Sequence, residues 1–110
     1  MITTHVLDTA AGAPGADMTV VLDVHRGSEW IRLGSGRTDE RGRLASLAEK
    51  MPIGPGVYRL TFDTAGYHRE RDTVTFFPEV QVVFEVREAN EHVHVPLLVS
   101  PFGYSTYKGV

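Results

Sequence analysis

His92 and His94 stand two residues apart near the end of the chain. In an extended segment, positions i and i+2 project to the same face, so the pair presents two imidazoles side by side. An imidazole titrates near ~6.5, so it can take a proton from water and return it to a leaving nitrogen. The chain has five histidines and no cysteine. That excludes disulfide scaffolds, thiolate zinc sites and cysteine nucleophiles, and leaves three readings. In the first, His92 and His94 hold a catalytic zinc with a third imidazole; His5 is the natural third ligand if the N-terminal segment lies against the last strands. In the second, one or two histidines with an arginine do acid–base hydrolysis without a metal. In the third, the histidine face is a binding surface for a flat ligand or a partner subunit. His25, on a polar strand face, and His68, within Tyr67-His68-Arg69-Glu70-Arg71, read as surface residues.

The elements that must position these groups are strands. Twenty-seven of 110 residues are Val, Ile or Thr against eight Ala, and β-branched side chains pack best on a pleated surface. Eleven Gly and six Pro supply turns, so an all-β sandwich is expected rather than a helical bundle. From Glu91 to Ser100 the odd positions Val93, Val95, Leu97 and Val99 are all apolar and should face the core. The even positions carry His92 and His94 but also Pro96 and Leu98, a mixture that suits an interface or a pocket wall better than open solvent surface. Ser100-Pro101-Phe102-Gly103 reads as a hairpin turn into a last strand, Tyr104 to Gly109. Alternation also marks strands at Met18–Arg26, Val57–Asp63 and Val80–Arg87, the last interrupted by Val83, with a shorter one at Trp30–Gly36. Thr38-Asp39-Glu40-Arg41-Gly42 reads as a turn with a charged tip, and Asp63-Thr64 caps a short helix over Ala65–Glu70.

Length and charge narrow the function classes. A chain of 110 residues supports one domain, here residues 1–110, and buries roughly two-thirds of its unfolded surface. It is too short to build a cleft between two domains. Eleven Lys and Arg against 14 Asp and Glu give a net charge of −3, which is no footprint for nucleic acid. No apolar run approaches the ~18 residues of a membrane span. The N-terminal residues lack the basic and apolar regions of a secretory signal, so a cytoplasmic location is expected.

Two stretches then carry a resemblance. Thr3-Thr4-His5-Val6-Leu7-Asp8-Thr9 followed by Gly12-Ala13-Pro14 is similar to the N-terminal signature of the 5-hydroxyisourate hydrolases, the transthyretin-like enzymes of urate breakdown. The run from His92 through Val95-Pro96-Leu97-Leu98 to Ser105-Thr106-Tyr107 resembles their second signature. Between them, Thr38-Asp39-Glu40-Arg41-Gly42-Arg43 looks like the family's arginine-bearing turn. The resemblance implies a transthyretin-like sandwich of two four-stranded antiparallel sheets with one short helix. It implies a homotetramer with sites at the dimer–dimer interface, and a two-fold interface brings sites in symmetric pairs.

The implied activity is cyclic amide hydrolysis. Water opens the six-membered ring of 5-hydroxyisourate to give 2-oxo-4-hydroxy-4-carboxy-5-ureidoimidazoline, with no cofactor. By position, the resemblance makes His5, Arg43 and His94 catalytic and His92, Ser105, Tyr107 and Val110 substrate contacts. The chain departs from the family at its end, where Tyr107-Lys108-Gly109-Val110 stands in place of Tyr-Arg-Gly-Ser. Lysine keeps a point charge but loses the planar fork of arginine. Strand parity puts Tyr107 and Gly109 on the outward face with Ser105, and turns Lys108 the other way. The altered tail supports an alternative, a transthyretin-like protein that binds a small ligand and hydrolyses weakly or not at all.

Overall fold

Alternating burial builds the strands of the computed structural model, which describes residues 1–48 and 52–110. In chain order they are β1 (Ile2–Asp8), β2 (Ala13–Pro14), β3 (Thr19–Arg26), β4 (Glu29–Arg37), β5 (Arg43–Leu44), β6 (Gly56–Phe62), β7 (Val80–Val86), β8 (Val93–Ser100) and β9 (Gly103–Thr106). The one helix among the described residues, α1 (Thr64–Arg69), follows β6. On β7, Val80, Val82 and Val86 are buried while Gln81, Val83 and Glu85 are exposed, so the apolar interruption at Val83 lies on the solvent side. On β8, Val93, Val95, Leu97 and Val99 are all buried, as their alternation requires.

The strands form two layers. One sheet runs β4-β3-β6-β7 and is antiparallel throughout. The other runs β2-β1-β8-β9, with β5 also paired to β1. Between the layers, Val6, Val20, Leu22, Leu60, Phe62 and Leu97 are fully buried. The core is therefore the two inward faces pressed together, the arrangement in which each sheet hides its apolar side.

The all-β sandwich with one short helix agrees with the expectation, but its second sheet differs in two respects. It is mixed, because β1 and β8 pair in parallel from Ile2↔Val93 to Asp8↔Val99. It also has five strands rather than four, because two short segments, β2 and β5, divide the free edge of β1 between them. Parallel neighbours cannot be joined by a tight turn. Here the connection contains the whole antiparallel sheet and the helix, which separate β1 from β8 in the chain. The last strand also ends sooner than expected. Regular pairing stops at Thr106 and resumes only as a single bridge from His94 to Gly109.

Helix α1 starts where its cap predicts. The Asp63 carboxylate accepts the Gly66 N–H at 3.0 Å, which satisfies one of the amides the first turn leaves free. Thr64, Tyr67 and His68 form its buried side, consistent with helical i, i+3, i+4 spacing. The surface reading therefore holds for His25, which is exposed, and fails for His68, which is only 2% exposed. The charged neighbours that suggested a solvent face are real, but the helix turns His68 away from them and inward.

Buried His68 has a measurable consequence. Its Nδ1–H donates to the Thr64 carbonyl at 3.1 Å, and its Nε2 has no partner among the described residues. Burial pushes the imidazole pKa down, Arg71 adds to the effect, and Asp8 opposes it. A folded pKa below the unfolded ~6.5 means the unfolded chain binds protons more readily. Stability from this group is complete above the unfolded pKa and falls as pH drops below it. Between about pH 8 and about pH 5 the wild type should lose more of its urea midpoint than His68→Phe, which cannot titrate. Equal losses in the two proteins would show that His68 does not carry this acid sensitivity.

Candidate functional site

The outward face of the mixed sheet gathers residues from both ends of the chain. Parallel pairing sets Thr3 beside His94, His5 beside Pro96 and Leu7 beside Leu98. Arg43 is the register partner of His5 across β5. Since side chains of neighbouring strands in register share a face, the inward turn of Val93, Val95 and Leu97 leaves Thr3, His5, Arg43, His94 and Pro96 together on the outer side.

The turn before β5 delivers Arg43. Asp39 Oδ1 accepts the N–H groups of Arg41 and Arg43, each at 2.9 Å. The Asp39 N–H in turn donates to the Arg43 carbonyl at 2.9 Å. Gly42 has φ +78°, a left-handed conformation that glycine adopts without steric cost, and its carbonyl accepts the Val6 N–H at 2.7 Å. The amides of Arg43 and Arg41 hold the Asp39 carboxyl below the usual carboxylate range. It stays ionised, and the turn keeps its closure, into mildly acidic solution.

His94 lies in a hollow of about 510 Å³ with Thr3, Arg43, His92, Gly109 and Val110 around it. Its Nδ1 is 2.7 Å from the Thr3 hydroxyl oxygen, which is also 3.2 Å from His92 Nε2. Gly109 bonds to the His94 main chain, its N–H donating to the carbonyl at 2.8 Å. A Cβ on Gly109 would come within 2.6 Å of His94 Cδ2, so only glycine lets the tail lie against the ring. Burial pushes the His94 pKa down; the positive charges available at His5, His92 and Arg43 push it further, and Thr3 opposes them. The ring is therefore neutral near pH 7, the form a general base needs. The five ion pairs among the described residues do not include Arg43, whose side chain is exposed at the hollow.

The other expected residues divide. His5 is on the same face, but its Nε2 is 3.0 Å from the Arg41 carbonyl. A carbonyl only accepts, so that nitrogen carries the proton and Nδ1 keeps the lone pair. Val110 lines the histidine hollow and Ser105 does not; Ser105 lies further along the sheet, opposite Leu98. Tyr107 does not line the histidine hollow within one chain. It lines a separate hollow of about 230 Å³ at the open side of the sandwich, with Val82, Val93, Val95 and Lys108. Regular pairing lapses after Thr106 and returns in the same register at Gly109, which is the tail residue set against His94. Lys108 Nζ reaches Glu91 Oε2 at 3.4 Å, so it tethers the tail to the start of β8. Among the described residues, no three His, Asp or Glu side chains come together as a metal-binding group. The triad of His5, His92 and His94 that a zinc would need is not assembled.

Sequence reading missed Thr3 and Gly109 as parts of this site. Thr3 shares its face with His5 by simple alternation, so its outward direction was legible. Its position between two imidazoles some 90 residues away was not.

The model of the HIUase/Transthyretin family matches residues 2–109. A 5-hydroxyisourate hydrolase of Salmonella dublin is 41% identical over 109 residues, covering 99% of this chain and 80% of the relative. The solved 5-hydroxyisourate hydrolase of Klebsiella pneumoniae superimposes with a TM-score of 0.86 at 30% identity, covering 99% of this chain and 98% of that one. Sea bream transthyretin, solved in complex with thyroxine, superimposes with a TM-score of 0.90 at 28% identity, covering 99% and 94%. No helix among the described residues is long and apolar enough to cross a membrane. With a matched region spanning nearly the whole sequence and the same sandwich in its solved relatives, the chain belongs to the HIUase/Transthyretin family.

Proposed function

We propose that the protein hydrolyses 5-hydroxyisourate in urate degradation, as a cyclic amide hydrolase that needs no metal. One observation carries the reading: a neutral imidazole, a second imidazole and an uncommitted guanidinium line one hollow in a chain of this family. His94 is the general base. Its Nδ1 is engaged by Thr3, which leaves Nε2 to take a proton from water. The hydroxide adds to the ring carbonyl, and the oxygen gains negative charge. Arg43 holds the anionic substrate and that oxygen, a role for which its rigid fork of donors is suited. The ring C–N bond then breaks, and the leaving nitrogen takes the proton back from the imidazolium. His5 is the second catalytic histidine, across from Arg43, while His92 and Val110 contact substrate from the wall of the hollow. Ser105 joins the site only from further along the face, where a second copy would close it.

That second copy belongs to the proposal. The hollow is open on one side, and Leu7 and Leu98 continue its face as a partly exposed apolar strip. At the open side of the sandwich, Phe76 (71% exposed) and Tyr104 (44%) flank Phe77. β7 and β9 also end their sheets with unpaired edges there. Exposed aromatics and free strand edges of this kind are normally covered by a partner. A homotetramer uses both surfaces and brings the sites together in pairs.

The test is decay of freshly generated 5-hydroxyisourate with and without the protein. Acceleration is expected, unchanged by removal of divalent metal with a chelator. Decay equal to buffer would reject the hydrolase and favour the ligand-binding alternative, which rests on the altered tail. Lys108 weakens that alternative, because its contact is with Glu91 and not with the hollow.

A further inference from the structure

We propose that Thr3 is a positioning residue that sets the tautomer of His94 and couples it to His92. The inference rests on the hydrolase reading for the direction of the bond and for its effect on rate; the tautomer itself is measured on the protein alone. Thr3 is 9% exposed, and its hydroxyl is the hydrogen-bond partner of both rings, at 2.7 Å from His94 Nδ1 and 3.2 Å from His92 Nε2. A hydroxyl has one proton to give and two lone pairs to accept with. For both contacts to be hydrogen bonds that use its proton, one ring must donate to it while it donates to the other.

The base role of His94 fixes the direction. Neutral His94 then carries its proton on Nδ1 and donates it to Thr3 Oγ1, and the hydroxyl proton points at His92 Nε2. This order leaves His94 Nε2 bare, which is the nitrogen a base must present. The opposite order would put a proton on Nε2 and disable it. When Nε2 takes a proton from water, the imidazolium keeps its Nδ1–H bond to the hydroxyl, which is stronger for a charged donor. The groups that oppose that charge are His5 on β1, Arg43 on β5 and His92 on the same strand. Thr3 Oγ1, 2.7 Å from His94 Nδ1, thus supplies an acceptor that favours the protonated ring.

The arrangement also accounts for His92, which has no other side-chain partner among the described residues. It receives the hydroxyl proton and so keeps Thr3 from donating to His94. Threonine suits the position because its β-branched χ1 is stiff and because β1 and β8 hold Thr3 and His94 in register.

The experiment compares wild type with Thr3→Val and Thr3→Ser. Valine keeps the shape and the strand propensity, and serine keeps the hydroxyl. Nitrogen-15 NMR of the histidine rings at neutral pH should find Nδ1 of His94 protonated in wild type and Thr3→Ser. In Thr3→Val the proton should move mainly to Nε2, the site that an unrestrained imidazole prefers. For hydrolysis, kcat should fall about 10–100-fold in Thr3→Val, by analogy with removal of the partner that orients a metal-bound histidine. KM should change by much less, and Thr3→Ser should recover most of the rate. A wild-type His94 protonated on Nε2, or a Thr3→Val protein with unchanged tautomer and kcat, would overturn the proposal. Absence of hydrolysis in wild type rejects the substrate reading alone, because the NMR comparison decides the tautomer independently.

Discussion

His94→Ala should lower kcat/KM for 5-hydroxyisourate by about 10²–10⁴-fold, the contribution of a positioned general base, and should leave a folded protein. His94 is half-buried, and its outward face is not part of the core formed by Val93, Val95 and Leu97. The substitution leaves the Thr3 hydroxyl without one partner next to an open hollow that water can enter, a cost of about 1 kcal/mol. Arg43→Ala should lose about 10²–10³-fold through the oxyanion and the substrate's negative charge. Arg43→Lys should recover only part of that, because a point charge does not reproduce two parallel hydrogen bonds. The pH profile adds a sign. Burial and neighbouring positive charges hold the His94 pKa below its ordinary value, so the acid limb of kcat/KM should lie below ~6.5. Steady-state rates across pH, with urea unfolding of each variant, make the measurement. A His94→Ala protein that is folded and fully active would remove His94 from the mechanism.

Leu98→Glu should have a comparably large effect without touching the histidines. Leu98 and its register neighbour Leu7 are partly exposed on the face that continues the hollow. In one chain on its own, a glutamate there meets water and costs little. In the proposed two-fold contact, each copy would bring its own carboxylate into a desolvated apolar strip, and like charges would face each other across the axis. The expected result is a smaller species in solution, with unchanged far-ultraviolet circular dichroism and hydrolysis reduced at least about tenfold, since an open site no longer holds substrate and water in place. Full activity in the smaller species would show that one chain builds a complete site.

The candidate site was legible to different depths at different residues. The outward direction of His92 and His94 follows from alternation with Val93 and Val95, because strand geometry sends successive side chains to opposite faces whatever the sheet's neighbours are. The motifs that resemble the family then named His5 and Arg43. Nothing local, however, indicated that β1 lies parallel to β8, or that β5 brings Arg43 opposite His5. Tyr107 shows where the local rule ends: regular pairing stops at Thr106, and within one chain Tyr107 lines a different hollow from His94. His68 shows a second limit. Its charged neighbours on a six-residue helix outweighed the i, i+3, i+4 spacing with Thr64 and Tyr67 that buries it.

On its own, then, the sequence determined which side chains point out of the sheets, where the turns fall and where the helix is capped. These are consequences of backbone sterics and of hydrogen bonds between residues a few positions apart. Tertiary structure decided which of those side chains meet. Thr3 bridges His92 and His94 across 89 and 91 residues because two sheets must bury their inward faces against each other, and that requirement brings the first strand beside the eighth. Pairing over such a distance is selected by the packing of the whole core, and it leaves no periodicity in either segment by which the partner could be read.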